Sequence, residues 1–197
     1  FISKGGKTTV SFTNPDYFNY AYLQGDAGKS SNLRKINADV KAVFRSMGSL
    51  RGFGGRLEAK KLVKYRYMVG MEGFKNPVEL QTFSSFKTGV SKIQKDLKQK
   101  EGKTQLVYSI VDEKNQVAIF GIGLLNKDKG EPHFLPIIGE DHVAAMPYEI
   151  VMIGKEATML HGRFRIALHW PELTMGTFSK IMSTPGDIKD LLKALTE

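Results

Sequence analysis

The amino-acid sequence predicts an α+β protein. A mostly antiparallel sheet of about seven to nine strands packs with three amphipathic helices in one domain spanning residues 1–197. Three observations predict it. Apolar residues step by three and four in three segments: Leu33, Ile36, Val40, Val43 or Phe44 and Met47; Phe83, Phe86, Val90, Ile93 and Leu97; and Ile188, Leu191, Leu192 and Leu195. Between the helical segments lie apolar, β-branched or alternating runs bounded by polar turns. A hydrophobic content of 41% over 197 residues, with no Pro/Ser-rich linker, is enough to fill one core. A β-sandwich or jelly roll with helical insertions is the alternative arrangement.

The elements follow in chain order. Thr8–Thr13 alternates weakly and ends at Asn14-Pro15-Asp16, a turn signal; aromatic-rich Tyr17–Leu23 reads as the returning strand. Gly25–Gly28 is a loop, and Ser30, Ser31 and Asn32 are good caps for the helix that runs on to Gly48. Glycine-rich 51–56 is a loop. From Lys60 to Met71 the period changes to two, with Val63, Tyr65, Tyr67 and Val69 on one face and Lys60, Leu62, Lys64, Arg66 and Met68 on the other, a strand. Asn76-Pro77-Val78-Glu79 reads as the start of the second helix, ending near Lys100. Gln105–Val111 and Val117–Leu125 form a hairpin around Glu113-Lys114-Asn115-Gln116. Phe134–Ile138, Tyr148–Ile153 and the alternating run His161–Trp170 are further strands, and Ser183–Asp187 caps the last helix.

Charge is the strongest functional signal. Residues 29–66 hold eleven Lys and Arg against two acids, Asp39 and Glu58, which accounts for the whole formal charge of +9. Charge segregated in this way builds a local positive field, a statement about polyanionic partners and not about fold. Lys29, Arg34, Lys41, Arg45, Arg51, Arg56, Lys60, Lys64 and Arg66 are the candidate phosphate contacts, on one continuous helix–loop–strand surface. Tyr20 and Phe53 are candidate base-stacking residues, and Gly52, Gly54 and Gly55 allow close backbone approach.

Motifs for other chemistries are incomplete. Gly28-Lys29-Ser30 opens a helix as a phosphate-binding loop would, but the glycine that G-x-x-x-x-G-K-[ST] needs at position 23 is Leu23. Arg51-Gly52-Phe53-Gly54 matches the first half of an RNP1 string and then departs from it at Gly55–Glu58. The four histidines have no metal-ligand spacing; Glu140-Asp141-His142 is a polar cluster without a partner motif. There is no cysteine, so disulfides, thiolate metal sites and cysteine nucleophiles are excluded together. No apolar run reaches the length of a membrane span.

These observations point to a non-enzymatic, nucleic-acid-binding structural protein without a cofactor, RNA being the favoured partner over DNA. It would be a self-associating coat, nucleocapsid or matrix-like subunit of a virion, or a ribonucleoprotein subunit, in the cytoplasm or, as the alternative, an organelle matrix. The rival readings are an interaction subunit that meets an acidic protein or an anionic membrane, and a nucleotide- or phosphate-binding enzyme around Gly28-Lys29-Ser30.

Overall fold

The computed structural model describes residues 2–4, 6–50, 57–66, 73–99 and 103–197. They fall into two compact units, Ser3–Asn76 and Pro77–Glu197. The class is α+β, with one five-stranded antiparallel sheet and, among the described residues, seven α-helices in place of the three expected.

In the first unit a two-stranded sheet, β1 (Ile2–Lys4) and β2 (Lys7–Thr9), precedes helix α1 (Pro15–Tyr22). The expected strand over Tyr17–Leu23 is therefore α1. Asn14 does not end a strand; it caps the helix, its side chain accepting from the Asp16 N–H at 3.1 Å, with Pro15 in the first turn. A short 3-10 turn, Gln24–Gly28, leads to α2 (Ser31–Arg45), whose cap is the expected Ser30, accepting from the Leu33 N–H at 3.3 Å. The expected strand at 60–66 is instead a 3-10 turn, Ala59–Lys64, followed by extended chain. The reason is Leu62: the strand pattern put it on the outer cationic face, yet it is the buried residue of this segment, and the turn packs on α1 with no neighbouring strand. The end of that strand, 67–71, and the glycine-rich loop at 51–56 lie outside the described residues. The unit's small core is Ala21, Ala27, Leu62 and Phe74, with the Tyr22 and Tyr65 rings at 5.7 and 5.8 Å from that of Phe74.

The second unit is built on strands β3 (Val78–Thr82), β4 (Thr104–Asp112), β5 (Val117–Leu124), β6 (Tyr148–Ile153) and β7 (Glu156–Met159), in the order β3-β7-β6-β5-β4 with every neighbour antiparallel. One face carries Leu80, Ala118, Phe120, Ile122, Ile150, Met152 and Ala157, all buried, and so this is a single sheet with one dressed face, not a sandwich. The cover comes from α3 (Phe86–Gln99), α4 (Glu131–Ile138), α5 (Gly162–His169) and α7 (Thr184–Lys193), which supply Phe86, Ile93, Leu97, Phe134, Ile166, Ile188 and Leu192. A short helix, α6 (Met175–Ser179), is capped by Thr174. The hairpin β4–β5, strand β6 and the final helix stand where the sequence put them. A bulge breaks the β4–β5 register between Leu106 and Tyr108.

Three other elements differ from expectation. Asn76–Glu79 leads into β3 and not a helix, because Val78–Thr82 finds an antiparallel partner in β7, a strand absent from the sequence reading; the helix starts at Phe86. Phe134–Ile138, expected as a strand, is part of helix α4, opened by Gly130-Glu131-Pro132. His161–Trp170 is helix α5, capped by the His161 ring accepting from the Arg163 N–H at 3.3 Å.

Inside this unit, His169 is held with its Nδ1 2.9 Å from the Arg165 carbonyl oxygen. Burial first, and then the neighbouring positive charge, push the imidazole down from its ordinary value near 6.5 to about 4, while the carbonyl contact opposes the fall. The sign follows from where the proton goes. Below the ordinary value the unfolded chain protonates His169 and the folded chain does not, so the stabilisation is complete above pH 6.5 and is lost as pH falls toward 4. We expect a loss of about 2 kcal/mol by pH ~4.5, discounted for the ring's partial exposure. Urea midpoints across that range should move less in His169→Gln; equal slopes in the two proteins would refute the assignment.

Candidate nucleic-acid interface

The basic surface belongs to the first unit, and Asp16 organises it from below. Its carboxylate accepts from the Asn37 side-chain amide at 2.5 Å and from Lys41 Nζ at 3.0 Å, tying α2 to the first turn of α1. Lys41 is only 30% exposed at its side chain, so this candidate phosphate contact serves the packing of the two helices. Arg34 is also engaged: its Nη1 donates to the Gly28 carbonyl oxygen at 2.9 Å, satisfying the last turn before α2. Lys29 stands 3.8 Å from Asp26, both almost fully exposed, a pair of little energetic weight. Lys35 and Asp39 pair at 2.6 Å along the helix and cancel locally. Arg66 is exposed, and its guanidinium lies against Gly73.

Arg45, Lys60 and Lys64 are exposed and have no ion-pair partner among the described residues. Arg45 ends α2, where the helix dipole favours a cation. Lys60 and Lys64 lie on the 3-10 turn with Lys61, which is 3.9 Å from Glu58. At three residues per turn, Lys61 and Lys64 stack on one side, Lys60 and Val63 on the next, and Leu62 turns inward. With Tyr20 of α1 they line a groove of about 550 Å³. The Tyr20 hydroxyl sits 3.2 Å from where a Cβ on residue 28 would be, so glycine there lets the ring lie against the turn. Half-buried Tyr20 thus forms one wall and three lysines the other.

The structure therefore brings together three residues singled out from sequence, Tyr20, Lys60 and Lys64, places Arg34 and Lys41 in contacts within the unit, and leaves Arg66 exposed beside Gly73. Arg51, Phe53 and Arg56 lie outside the described residues. Sequence reasoning missed Lys61 as a groove residue, because an alternating strand would have turned it away from Lys60 and Lys64; the three-residue interval from Lys61 to Lys64 was the available signal. It also missed that α2 buries none of its residues fully. Leu33, Val40 and Phe44 are half-buried, with the Phe44 ring stacked on Phe12 at 3.9 Å, while Ile36, Val43 and Met47 remain 52%, 54% and 59% exposed.

Comparison with family models, curated proteins and solved structures finds no match.

The other candidate chemistry is sparse. Gly28-Lys29-Ser30 follows a 3-10 turn and not a strand. Asp112 accepts from the Asn115 backbone and side chain at the β4–β5 turn, and the side-chain bond in particular holds its carboxyl below the usual range. His142 lies 2.5 Å from Glu172 and edge-on to Trp170, near a cleft of about 330 Å³ lined by Gly139, Trp170, Glu172 and Thr177. Among the described residues no three His, Asp or Glu side chains are placed to hold a metal. No helix among them is long and apolar enough to cross a membrane.

Proposed function

We propose that the chain is a non-catalytic nucleic-acid-binding protein, a structural subunit of a nucleoprotein assembly, that takes single-stranded RNA along the groove between Tyr20 and the lysines. The observation that carries this is the groove itself: one accessible aromatic faces Lys60, Lys61 and Lys64 in the part of the chain that holds the whole net charge. An aromatic face stacks on any base, and adjacent ammonium groups neutralise the phosphates on either side of it. Arg45 extends the positive field along α2.

Titration with fluorescently labelled single-stranded RNA over a salt series tests it. Replacing Lys60, Lys61 and Lys64 together by Ala should flatten the log–log salt slope by about 2, from roughly 0.7 per phosphate neutralised. Tyr20→Leu, which keeps the packing against the turn, should cost about 1–3 kcal/mol of affinity with the slope unchanged. An unchanged slope in the triple variant, with folding verified by circular dichroism, would remove the groove from the reading.

The exposed stripe on α2 favours a second role beside this one, the docking of a protein partner. Charge alone does not call for it; apolar surface left exposed beside the half-buried Leu33, Val40 and Phe44 of the same helix does.

A further inference from the structure

The sheet of the second unit leaves one face bare. Cross-strand pairing places Ile110, Ile119 and Val151 in one row on that face, and Val117 and Ile153 in the next. Ile110 is 60% and Ile153 66% exposed, and Val117, Ile119 and Val151 are half-buried. The same register flanks Val117 and Ile153 in the second row with Asp112 and Glu156, the row ending at Thr82, and puts Glu79 on this face of the edge strand β3. Glu149 is also on it but is committed to Arg165. None of the five strands contains a Lys, Arg or His; Arg165 reaches the face only at Glu149, which it neutralises, and Lys114 and Lys155 lie in the turns at the end of the sheet. The face is an apolar patch with an acidic rim.

A sheet face of this kind is stable in water only at the cost of exposed apolar area, which packing against a helix removes. The rim charge selects among occupants. A second copy of the same face would bring carboxylates against carboxylates. A basic element with an apolar stripe suits it, and the chain carries one: α2 exposes Ile36 and Val43 along one side, with exposed Met47 in the turn just past its end, within the segment that holds the whole net charge of +9. The lengths agree. From Ile36 to its end at Arg45 the helix rises about 14 Å at 1.5 Å per residue, and the row from β4 across β5 and β6 to β7 spans roughly 14 Å at about 4.8 Å per strand. On a helical projection Arg34 and Arg45 lie on the side of α2 opposite the stripe, so a docked helix keeps them in solvent.

We propose that the acidic, apolar open face of the sheet docks helix α2 of a second copy of this chain, a heterologous contact that joins copies head to tail. The contact does not depend on the RNA reading: association is measured on RNA-free protein, and RNA titration can fail without affecting it.

The experiment is sedimentation velocity of the full chain over a wide concentration range, with two variants that each introduce charge into one apolar surface. Ile36→Glu with Val43→Glu alters the stripe; Ile110→Lys with Ile153→Lys alters the face. All four positions are exposed, and the corresponding Ser substitutions serve if a charged variant does not fold. The wild-type protein should self-associate, less strongly at high salt. Each variant alone should be weakened at least about tenfold in association. An equimolar mixture of the two should recover a two-protomer species, because each retains the surface the other lacks. A wild-type chain that stays monomeric throughout overturns the proposal. So does a stripe variant that associates as well as wild type, which would mean face-to-face pairing, or a mixture that stays monomeric while both variants are folded.

Discussion

Replacing Arg165 by Met should destabilise the second unit by about 3–5 kcal/mol, as a shift in the urea midpoint at neutral pH. Arg165 is 4% exposed, and its guanidinium serves several partners at once. It pairs with Glu149, donates to the Ala145 carbonyl at 2.5 Å and the Pro147 carbonyl at 2.6 Å, and lies 4.6 Å from the centre of the Tyr148 ring. Methionine can fill the volume of the stem, but it leaves the buried Ala145 carbonyl and the Pro147 carbonyl without this donor and the Glu149 carboxylate with the Tyr108 hydroxyl alone. The comparison variant is Arg165→Met with Glu149→Leu. Removing both charges avoids the orphaned carboxylate, so the double variant should recover a large part of the loss. A single variant within about 1 kcal/mol of wild type would show that the pair contributes little beyond its own desolvation.

The second large effect is expected at Gly130. A Cβ there would fall against the Leu124 carbonyl and within 2.8 Å of the Asn126 carbonyl oxygen, both main-chain groups that no rotamer change can move. Its φ of −102° is open to any residue, so the demand for glycine is close approach alone. Moving the start of α4 away would break the Gly130 N–H bond to Asn126 at 2.8 Å and draw the Glu131 carboxylate from the Leu124 N–H it accepts at 3.0 Å. Burial already raises the Glu131 carboxyl above its usual range, that backbone bond being what opposes the rise. Gly130→Ala should therefore cost about 3 kcal/mol, with Gly186→Ala, where a Cβ meets nothing, as the control near zero. Thermal melts of the two variants compare them directly.

Much of the fold can be read from single residues where one local signal dominates. Ser30 caps α2 because its side chain precedes an apolar period, and the β4–β5 hairpin announces itself through two β-branched runs around a polar turn. The misread segments carried two signals at once. Tyr17–Tyr22 has the aromatic composition of a strand, but Asn14-Pro15-Asp16 is as good a helix start as a turn, and the cap prevailed. Phe164, Ile166, Leu168 and Trp170 alternate as in a strand, yet Leu168 is only half-buried while Gly162, Phe164, Arg165, Ile166 and Trp170 are buried, a set without period two that includes an arginine no hydrophobic pattern would place inside. β3 and β7 owe their form to each other across about eighty residues, a pairing invisible in either segment alone. The same limit applied to the site. The charge of 29–66 was plain, but that Lys41 belongs to Asp16 depends on how α1 folds back onto α2.

The bulge at Leu106–Tyr108 has a consequence for what happens when many copies are crowded together. β4 is an edge nine residues long with Leu106, Val107, Ile110 and Val111 all exposed, the composition from which fibrils start. An extra residue in mid-strand skews the outward row of amide groups, so a straight strand from a neighbour can match only one half of the edge at a time. The hairpin itself thus disfavours the templated, irreversible kind of growth and leaves reversible, side-chain-mediated contacts as the way for copies to meet. A concentrated solution should stay free of thioflavin signal, and straightening the strand by deleting Val107 should raise it.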